Sequence, residues 1–493
     1  MSLKLHNTLT GTLDEFVSLQ PNTVKLYTCG PTVYDYLHVG NWSAYIYWDI
    51  LVRTLIANDY HVERVMNITD VGHLISDADE GEDKLEKGAK REGKTAWEVA
   101  EFYSQDFLKG IEQLGIITPE HITKATEFIP EQLELVRILK GKGYTYQIDD
   151  GIYFDTSKFP TYADFAHLDL AALQAGARVV FNPQKRNHSD FALWKFTPVG
   201  EKRDMEWETP ADLVEQEADS SRGPVPRMGF PGWHLECSAM AMSILGETID
   251  IHTGGIDHIP VHHTNEIAQS EAASGKRFSN FWLHNNHLKV DGTKISKSLG
   301  NGYTLDDLEK KGFSAQDYRL FVLQSHYRTE GNFTFANLTA AKNRLHNWRN
   351  IAALRHQIHD TLRDDDEKGT DDKAVSLYAT SQAVVEALSN DLNTPEALMI
   401  IDEAFSRLAS AKLESIHRHA LIELLGTIDT ILGLQLLSSS PDISDDTKRL
   451  IIQRVHARAN KDWSRSDTLR DELLAQGIII RDTLTGSVWE YAT

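Results

Sequence analysis

Between about residues 24 and 331 the chain alternates short apolar runs with stretches whose apolar residues recur at helical spacing, as in an α/β unit with a parallel sheet. Residues 24–29 read as the first strand, which ends at Gly30-Pro31, a pair that strands seldom cross. From 42 to 56 the spacing of Tyr45, Trp48, Ile50, Leu51, Val52 and Leu55 predicts a helix. Residues 61–69 read as a second strand, so the opening unit is βαβ. A third strand is expected at 248–252, running into a sharp turn at Thr253-Gly254-Gly255. Between these halves lies an insertion, about 143–226, with short strands at 151–154 and 178–181. It ends in a polar, proline-rich stretch at 209–226, the mark of a mobile crossing back to the main sheet. Beyond about 332 come long helical patterns at 340–362 and 374–411, separated at 363–369 by a charge run that reads as a solvated linker. From about 439 a small unit is expected to be helical to 476, then a strand at 477–480 and a hairpin at Thr485-Gly486.

Composition narrows this picture. With 493 residues, 41% hydrophobic and 25% charged, the chain is neither disordered, collagen-like nor a disulfide scaffold. No run approaches the roughly 18 apolar residues of a membrane span, and residues 1–7 lack the apolar core of a signal peptide, so a cytoplasmic protein is expected. In a reducing compartment the two cysteines, Cys29 and Cys237, bind metal, do catalysis or sit in a core. A net charge of −22 argues against indiscriminate nucleic-acid binding while allowing a local basic face.

Three motifs carry chemistry. His38-Val39-Gly40-Asn41 follows a strand end and opens a helix, which sets an imidazole, an amide and a helix N-terminus where a triphosphate would sit. Gly40 would let a flat base approach the backbone. Lys294-Ile295-Ser296-Lys297-Ser298, between glycines, suits a mobile loop that clamps phosphate charge. His262 and Glu266 share a helix face, and Cys237 lies in Gly232-Trp233-His234-Leu235-Glu236-Cys237-Ser238; scattered ligands of this kind suit a metal in a cleft rather than a zinc knuckle. Each motif alone is also what a capped helix, a basic surface loop or a buried thiol would show.

Taken together, these residues resemble the cysteinyl-tRNA synthetases, a family of class I aminoacyl-tRNA synthetases. The resemblance runs nearly end to end and includes Tyr27-Thr28-Cys29-Gly30-Pro31-Thr32-Val33-Tyr34, Asn67-Ile68-Thr69-Asp70, Leu193-Trp194-Lys195 and Lys461-Asp462-Trp463. It implies a Rossmann-type parallel sheet (1–142 and 227–331) interrupted by an acceptor-stem domain (143–226). A helical bundle (332–438) and a small mixed α/β anticodon-binding domain (439–493) follow. It implies Cys29, Cys237, His262 and Glu266 as zinc ligands. His38, Asn41, Lys294 and Lys297 fall on catalytic positions, and these with Gly40, Asp257 and Ser296 on positions that hold ATP and its Mg²⁺. Gly30, Thr69 and Trp233 would line the cysteine pocket. Asn41 stands in place of the class I second histidine, and its amide can still donate a hydrogen bond.

The implied reaction activates L-cysteine with ATP and transfers it to the terminal ribose of tRNA(Cys), at the 2′-hydroxyl by class I resemblance. The implied partners are tRNA(Cys), ATP and L-cysteine, with no membrane and a monomeric state. In the tail eight cations oppose four carboxylates between 448 and 481, a local basic face. Trp463, Arg458 and Lys461 are expected tRNA contacts, and Trp463 and Trp489 are each open to a stacking or a core role. Two other readings share much of the motif set: a ligase joining cysteine to a small amine, and an inactive RNA-binding paralogue.

Overall fold

The computed structural model describes residues 2–72, 83–169, 182–215, 227–296, 299–357, 372–483 and 486–492. The expected strand at 178–181, the end of the polar crossing, the linker at 363–369, Lys297, Ser298 and Thr485 lie outside the described residues. A hairpin, β1 (Lys4–Asn7) and β2 (Thr12–Glu15), precedes the βαβ unit formed by β3 (Thr23–Thr28), α1 (Val39–Ala57) and β4 (His61–Ile68). Two further helices, α2 (Lys84–Glu92) and α3 (Ala96–Leu114), lead to β5 (His121–Lys124). After α4 (Ile129–Gly141) comes an antiparallel sheet of β6 (Thr145–Ile148), β7 (Gly151–Phe154), β8 (Phe191–Phe196), β9 (Trp207–Glu208) and β10 (Met228–Pro231). The chain returns through α5 (Trp233–Leu245) to β11 (Ile249–Gly255), α6 (Thr264–Ser274) and β12 (Ser279–Asn285).

Strands β12-β11-β3-β4-β5 form one parallel sheet in that order. Its central strands are apolar on both faces, with Val24, Leu26 and Tyr27 of β3 and Ile249 and Ile251 of β11 buried, because helices cover both sides. From β3 the chain steps outward to β4 and β5, then returns to β11 on the opposite flank of β3. The direction of winding therefore reverses between β3 and β11, and a crevice opens beyond their carboxyl ends, where sheets of this type bind ligands.

Packing of α1 against α3 sets one wall of that crevice. Trp42, in the first turn of α1, stacks on Phe107 at 5.5 Å between ring centroids and 16° between planes. Its indole lies over Gly110, where an added Cβ would come within 2.3 Å of the ring. Gly110→Ala should force the helices apart or the indole out of place, at a cost of about 1–3 kcal/mol. A lowered thermal midpoint is the expected result; an unchanged one would show that the contact has slack.

Beyond β13 (Leu288–Val290), α7 (Leu305–Lys310), α8 (Ala315–Leu323) and β14 (Gly331–Phe333) the chain becomes helical. Here two expectations are corrected. The helix expected at 340–362 is α9 (Phe335–Ala353), which ends in a tight turn, Leu354–His356. The pattern at 374–411 is two helices, α10 (Asp372–Ser389) and α11 (Thr394–Ser410). They part where Asp391 and Leu392 take positive φ of 61° and 52°. Remote partners hold that break: the Asp391 carboxylate accepts from the His6 amide at 2.9 Å and the Tyr327 hydroxyl at 2.6 Å.

After α12 (Arg418–Leu432) and the short α13 (Leu436–Ser439), the helical stretch of the tail also divides, into α14 (Asp445–Ala459) and α15 (Trp463–Ala475). Lys461 turns between them at φ 61°, and Asp462 caps α15. A hairpin of β15 (Ile478–Thr483) and β16 (Gly486–Tyr491) closes the chain. Among the described residues no helix is long and apolar enough to cross a membrane.

Candidate active site and metal centre

Cys29 leaves β3 at the point of reversal, and its amide donates to the Thr253 carbonyl of β11 at 3.1 Å. The next amide, of Gly30, donates to Asn67 Oδ1 at 2.8 Å. A Cβ on Gly30 would lie 1.6 Å from the Asn67 carbonyl oxygen, so only glycine lets the chain turn this closely across β4. Cys237 reaches the same region from the first turns of α5. A π-helical turn, Ile259–His263, runs into α6 and aims His262 and His263 inward; such turns concentrate at functional sites.

The side chains meet around Glu266. His262 Nε2 is 3.0 Å from Glu266 Oε1, and His252 Nε2, from β11, is 2.9 Å from Oε2. Cys29 Sγ lies 4.0 Å from Glu266 Oε1 and 3.4 Å from His263 Nε2. Two overlapping quartets, Cys29-Cys237-His262-Glu266 and Cys29-His252-His263-Glu266, each hold their ligand atoms within 4.8 Å of one another. Tetrahedral ligands at 2.0–2.3 Å from an ion stand about 3.3–3.8 Å apart, so either set is compact enough for a metal after small adjustments.

Charge is arranged accordingly. A hydrogen bond from Cys29 pulls the Cys237 thiol down to about 6, against the effect of burial, while burial and the Cys237 sulfur push Cys29 up. Burial alone would lower His262, but the Glu266 carboxylate and Cys237 sulfur outweigh it and raise the imidazole to about 10. Burial alone would likewise raise Glu266, and His252 and His262 outweigh it, bringing it to about 2. A metal held here would have to displace the protons that Cys29 and His262 carry in its absence.

Sequence reasoning found four of these residues and missed the histidines around them. His263 Nδ1 pairs with His284 Nε2 at 2.7 Å, and His284 Nδ1 with Thr8 Oγ1 at 2.7 Å. His234 and His262 meet through their Nδ1 atoms at 2.9 Å. The Trp233 ring, at the start of α5, covers His262 with centroids 4.3 Å apart. Thr69 is buried, its amide on the Pro31 carbonyl at 2.9 Å and its hydroxyl accepting from Asn67 Nδ2 at 3.1 Å. Beside it Glu236, also missed, is pushed well above the usual carboxylate range by burial and by Cys237. Gly30, Thr69 and Trp233 therefore ring the same end of the sheet.

The other end of the crevice is the N-terminus of α1. His38 caps the helix: its Nδ1 accepts from the Asn41 amide at 3.3 Å, and Asn41 Oδ1 accepts from the His38 amide at 3.1 Å. With Nδ1 an acceptor, the ring proton sits on Nε2, which makes that atom a donor. No acidic residue occupies the first turn of α1, so the positive helix end is left for an anion. Ile295 packs onto Gly40, 2.8 Å from where a Cβ would stand, which brings the segments 38–41 and 294–296 together. Asn301 closes the second segment, accepting from the Ser296 amide at 2.9 Å and donating to the Lys294 carbonyl at 3.3 Å. Lys294 is exposed, and Asp257 is exposed on the turn Ile256–His258 that follows β11.

In the tail, Trp463 is 56% exposed and Trp489 only 1%, so Trp489 takes the core role. The Arg458 guanidinium lies 5.7 Å from the centre of the Trp463 ring. Most of the local positive charge is offset within the domain: Lys448, Arg449, Arg454, Arg470 and Arg481 pair with Asp442, Asp446, Asp482, Asp467 and Glu490. Those pairs shrink the basic face expected from counting 448–481 alone.

The sequence and the fold have known relatives. The family model described as tRNA synthetases class I (C) catalytic domain matches residues 15–343, and the cysteinyl-tRNA ligase anticodon binding domain matches 440–489. The cysteine–tRNA ligase of Treponema denticola is 39% identical over 516 residues, covering 99% of this chain and 100% of the relative. Cysteine–tRNA ligase 1 of Burkholderia lata is 40% identical over 491 residues, covering 99% and 96%. Among solved structures, Mycobacterium tuberculosis methionyl-tRNA synthetase with methionyl-adenylate aligns over 85% of this chain and 93% of its own, with a TM-score of 0.59 at 15% identity. The ternary complex of Agrobacterium radiobacter K84 agnB2 LeuRS with tRNA and LeuAMS aligns over 86% of each chain, with a TM-score of 0.60 at 12% identity. At such identities these two likenesses speak to fold alone.

Proposed function

The chain belongs to the cysteine–tRNA ligase family, and we propose that it activates L-cysteine with ATP and transfers it to tRNA(Cys). The observation that carries this reading is the meeting of both thiols of the chain, His262 and Glu266 at the reversal point of the sheet, one crevice away from the capped N-terminus of α1. The domains proposed are 1–142, 143–226, 227–331, 332–438 and 439–493, except that β10, at 228–231, pairs within the inserted sheet and carries that domain's edge past 226.

The quartet with two thiols is the better metal site of the two. Cys29 and Glu266 are common to both sets, and what separates them is Cys237, which adds a second soft thiolate of the kind zinc favours where the alternative has only imidazoles. Zinc, when bound there, supplies a soft Lewis acid that prefers a substrate thiolate to the hydroxyl of serine. Trp233 and Thr69 shape the pocket around that end, and Glu266 holds both His252 and His262 in orientation. An apolar pocket alone would separate cysteine from a hydroxyl analogue by only about 10², so on this reading no editing domain is needed. Hydrolysis of Ser-tRNA by this protein would contradict it.

In the first step the cysteine carboxylate attacks the α-phosphorus in line and expels pyrophosphate; no covalent nucleophile is required. His38 Nε2, the helix end at Gly40 and Asn41, and the Lys294 and Lys297 ammonium groups would hold phosphate charge as it develops, with Mg²⁺ on the nucleotide. The contact of Ile295 with Gly40 supports the two segments acting together. In the second step the terminal ribose of the tRNA takes the cysteinyl group. The deciding experiment is cysteine-dependent ATP–pyrophosphate exchange followed by charging of total tRNA. Exchange with charging supports the reading; exchange without charging indicates a small-amine ligase, and no exchange an RNA-binding paralogue.

Trp463, half exposed beside Arg458, is the proposed anticodon contact, with Lys461 at the turn before it. Trp463→Ala is expected to lower charging about tenfold through loss of base stacking and to leave pyrophosphate exchange unchanged. Equal charging by the variant would assign the ring to packing.

A further inference from the structure

A second aromatic surface stands at the mouth of the crevice, outside the residues assigned above. Tyr36 lies two residues before His38 and is 45% exposed; Phe102, on α3, is exposed by the same 45%. Their centroids are 6.1 Å apart, and both rest edge-on against the buried ring of Tyr103, at 5.1 Å each. An exposed aromatic pair supported in this way loses apolar contact with water only when something flat covers it.

The surroundings are cationic in a chain of charge −22. Between positions 84 and 94 five cations, Lys84, Lys87, Lys90, Arg91 and Lys94, face two carboxylates, Glu86 and Glu92. Glu92 is engaged by Arg91 at 3.0 Å and Lys94 at 3.1 Å, and Asp35 lies 3.8 Å from Arg91. The Lys94 ammonium sits 4.7 Å from the centre of the Phe102 ring. The helix bearing these charges is fastened to the nucleotide loop itself: a Cβ at Gly88 would stand 3.5 Å from the Tyr34 carbonyl oxygen, and Lys84 lies 5.6 Å from the Tyr34 ring centre. Aromatic faces interleaved with cations are the surface that unpaired nucleotides select, bases on the rings and phosphates on the ammonium groups.

We infer that Tyr36 and Phe102, with the basic face of α2, form a rim platform that binds the unpaired 3′ end of the tRNA as it enters the crevice. The inference rests on the ligase reading, because only a substrate whose terminal ribose must reach the nucleotide site needs to cross this rim. It assigns to the α2–α3 side the single-stranded nucleotides, leaving the double-stranded acceptor stem to the inserted sheet.

The test uses the full-length enzyme and a tRNA(Cys) transcript, either intact or lacking its unpaired 3′ nucleotides. Phe102→Ala and Tyr36→Ala should each raise the KM for intact tRNA in charging about tenfold, Lys94→Glu should do so with a shallower salt dependence because one phosphate contact is lost, and Tyr36→Phe should restore the parental value. Cysteine-dependent exchange should be unchanged in all of them. Binding of the truncated transcript should be the same in variant and parent, because the contact has been removed from the RNA. Equal weakening toward intact and truncated transcripts, or parental charging by both alanine variants, overturns the platform while leaving the ligase reading in place. Absence of cysteine-dependent exchange in the parent overturns the ligase reading and the platform with it.

Discussion

Cys237→Ser should all but abolish cysteine activation, with a fall of well over a hundredfold in kcat/KM for cysteine-dependent exchange and loss of bound zinc in metal analysis. Replacing groups that merely orient a metal ligand typically costs 10–100-fold, and this change removes a proposed ligand outright. Serine matches cysteine in size, so the buried position, 2% exposed in the first turns of α5, is not emptied. Serine cannot reproduce the thiolate, which Cys29 stabilises by its hydrogen bond. Cys29→Ser should do the same, because it removes the other thiol of the same ligand set. His252→Ala is the graded comparison: it removes a partner of Glu266 rather than a ligand and should lose activity by about 10–100-fold. Circular dichroism and thermal melting separate these effects from misfolding. If Cys237→Ser kept both its metal and its exchange activity, the assignment of the two-thiol quartet would fall, and the histidine quartet would take its place.

The parts of this site that could be read from the chain are those whose chemistry is local. His38 and Asn41 form a capping box over three residues, and His262 with Glu266 meet across one helical turn, so spacing suffices to pair them. Cys29 and Cys237 are brought together by the sheet, and only residue type and their place at segment ends hinted at it. The buried histidines gave no such hint. His252 lies in a strand that is buried along nearly its whole length, where an imidazole is as readily a packed core group, and its pairing with Glu266 depends on a π-helical turn that periodicity does not announce. The fold divides in the same way. Apolar runs marked β3, β4 and β11, whereas the break between α10 and α11 at Asp391 and Leu392 went unseen, because its cause is remote: His6 and Tyr327 hold the Asp391 carboxylate from elsewhere in the chain. In the tail, counting charges within a window overstated the basic face, since Asp442, Asp446, Asp482 and Glu490 lie just outside the window and pair with its cations.

Asp49→Ala is expected to be the most destabilising single change outside the site, by about 3–5 kcal/mol, as found when one partner of a buried ion pair is removed. Asp49 and Arg319 are both fully buried and in direct contact between α1 and α8, and Arg53 adds a second cation on Asp49 at 2.7 Å. Arg319 Nη1 donates to the Leu114 carbonyl at the end of α3 at 3.1 Å, and Nε to the Leu432 carbonyl at the end of α12 at 2.7 Å. The Asp49 carboxylate also accepts from the Ile117 amide at 2.8 Å. Alanine at 49 therefore leaves a buried guanidinium without its counter-charge and a backbone amide without its acceptor, and both must be desolvated for nothing in return. The sign of the double change differs. Asp49→Leu with Arg319→Met removes the fully buried pair together and fills the space with apolar atoms, and it should recover part of the loss, the orphaned carbonyls of Leu114 and Leu432, the Ile117 amide and the unpaired Arg53 accounting for the rest. Urea midpoints for the two single variants and the double variant give the coupling directly. Because α1 carries His38 at its other end and α12 belongs to the helical bundle, the same node fixes the catalytic helix against the bundle. Loosening it should raise the KM for tRNA, which must span both, before it affects the KM for cysteine. Equal rises in both would mean that Asp49 steadies α1 alone.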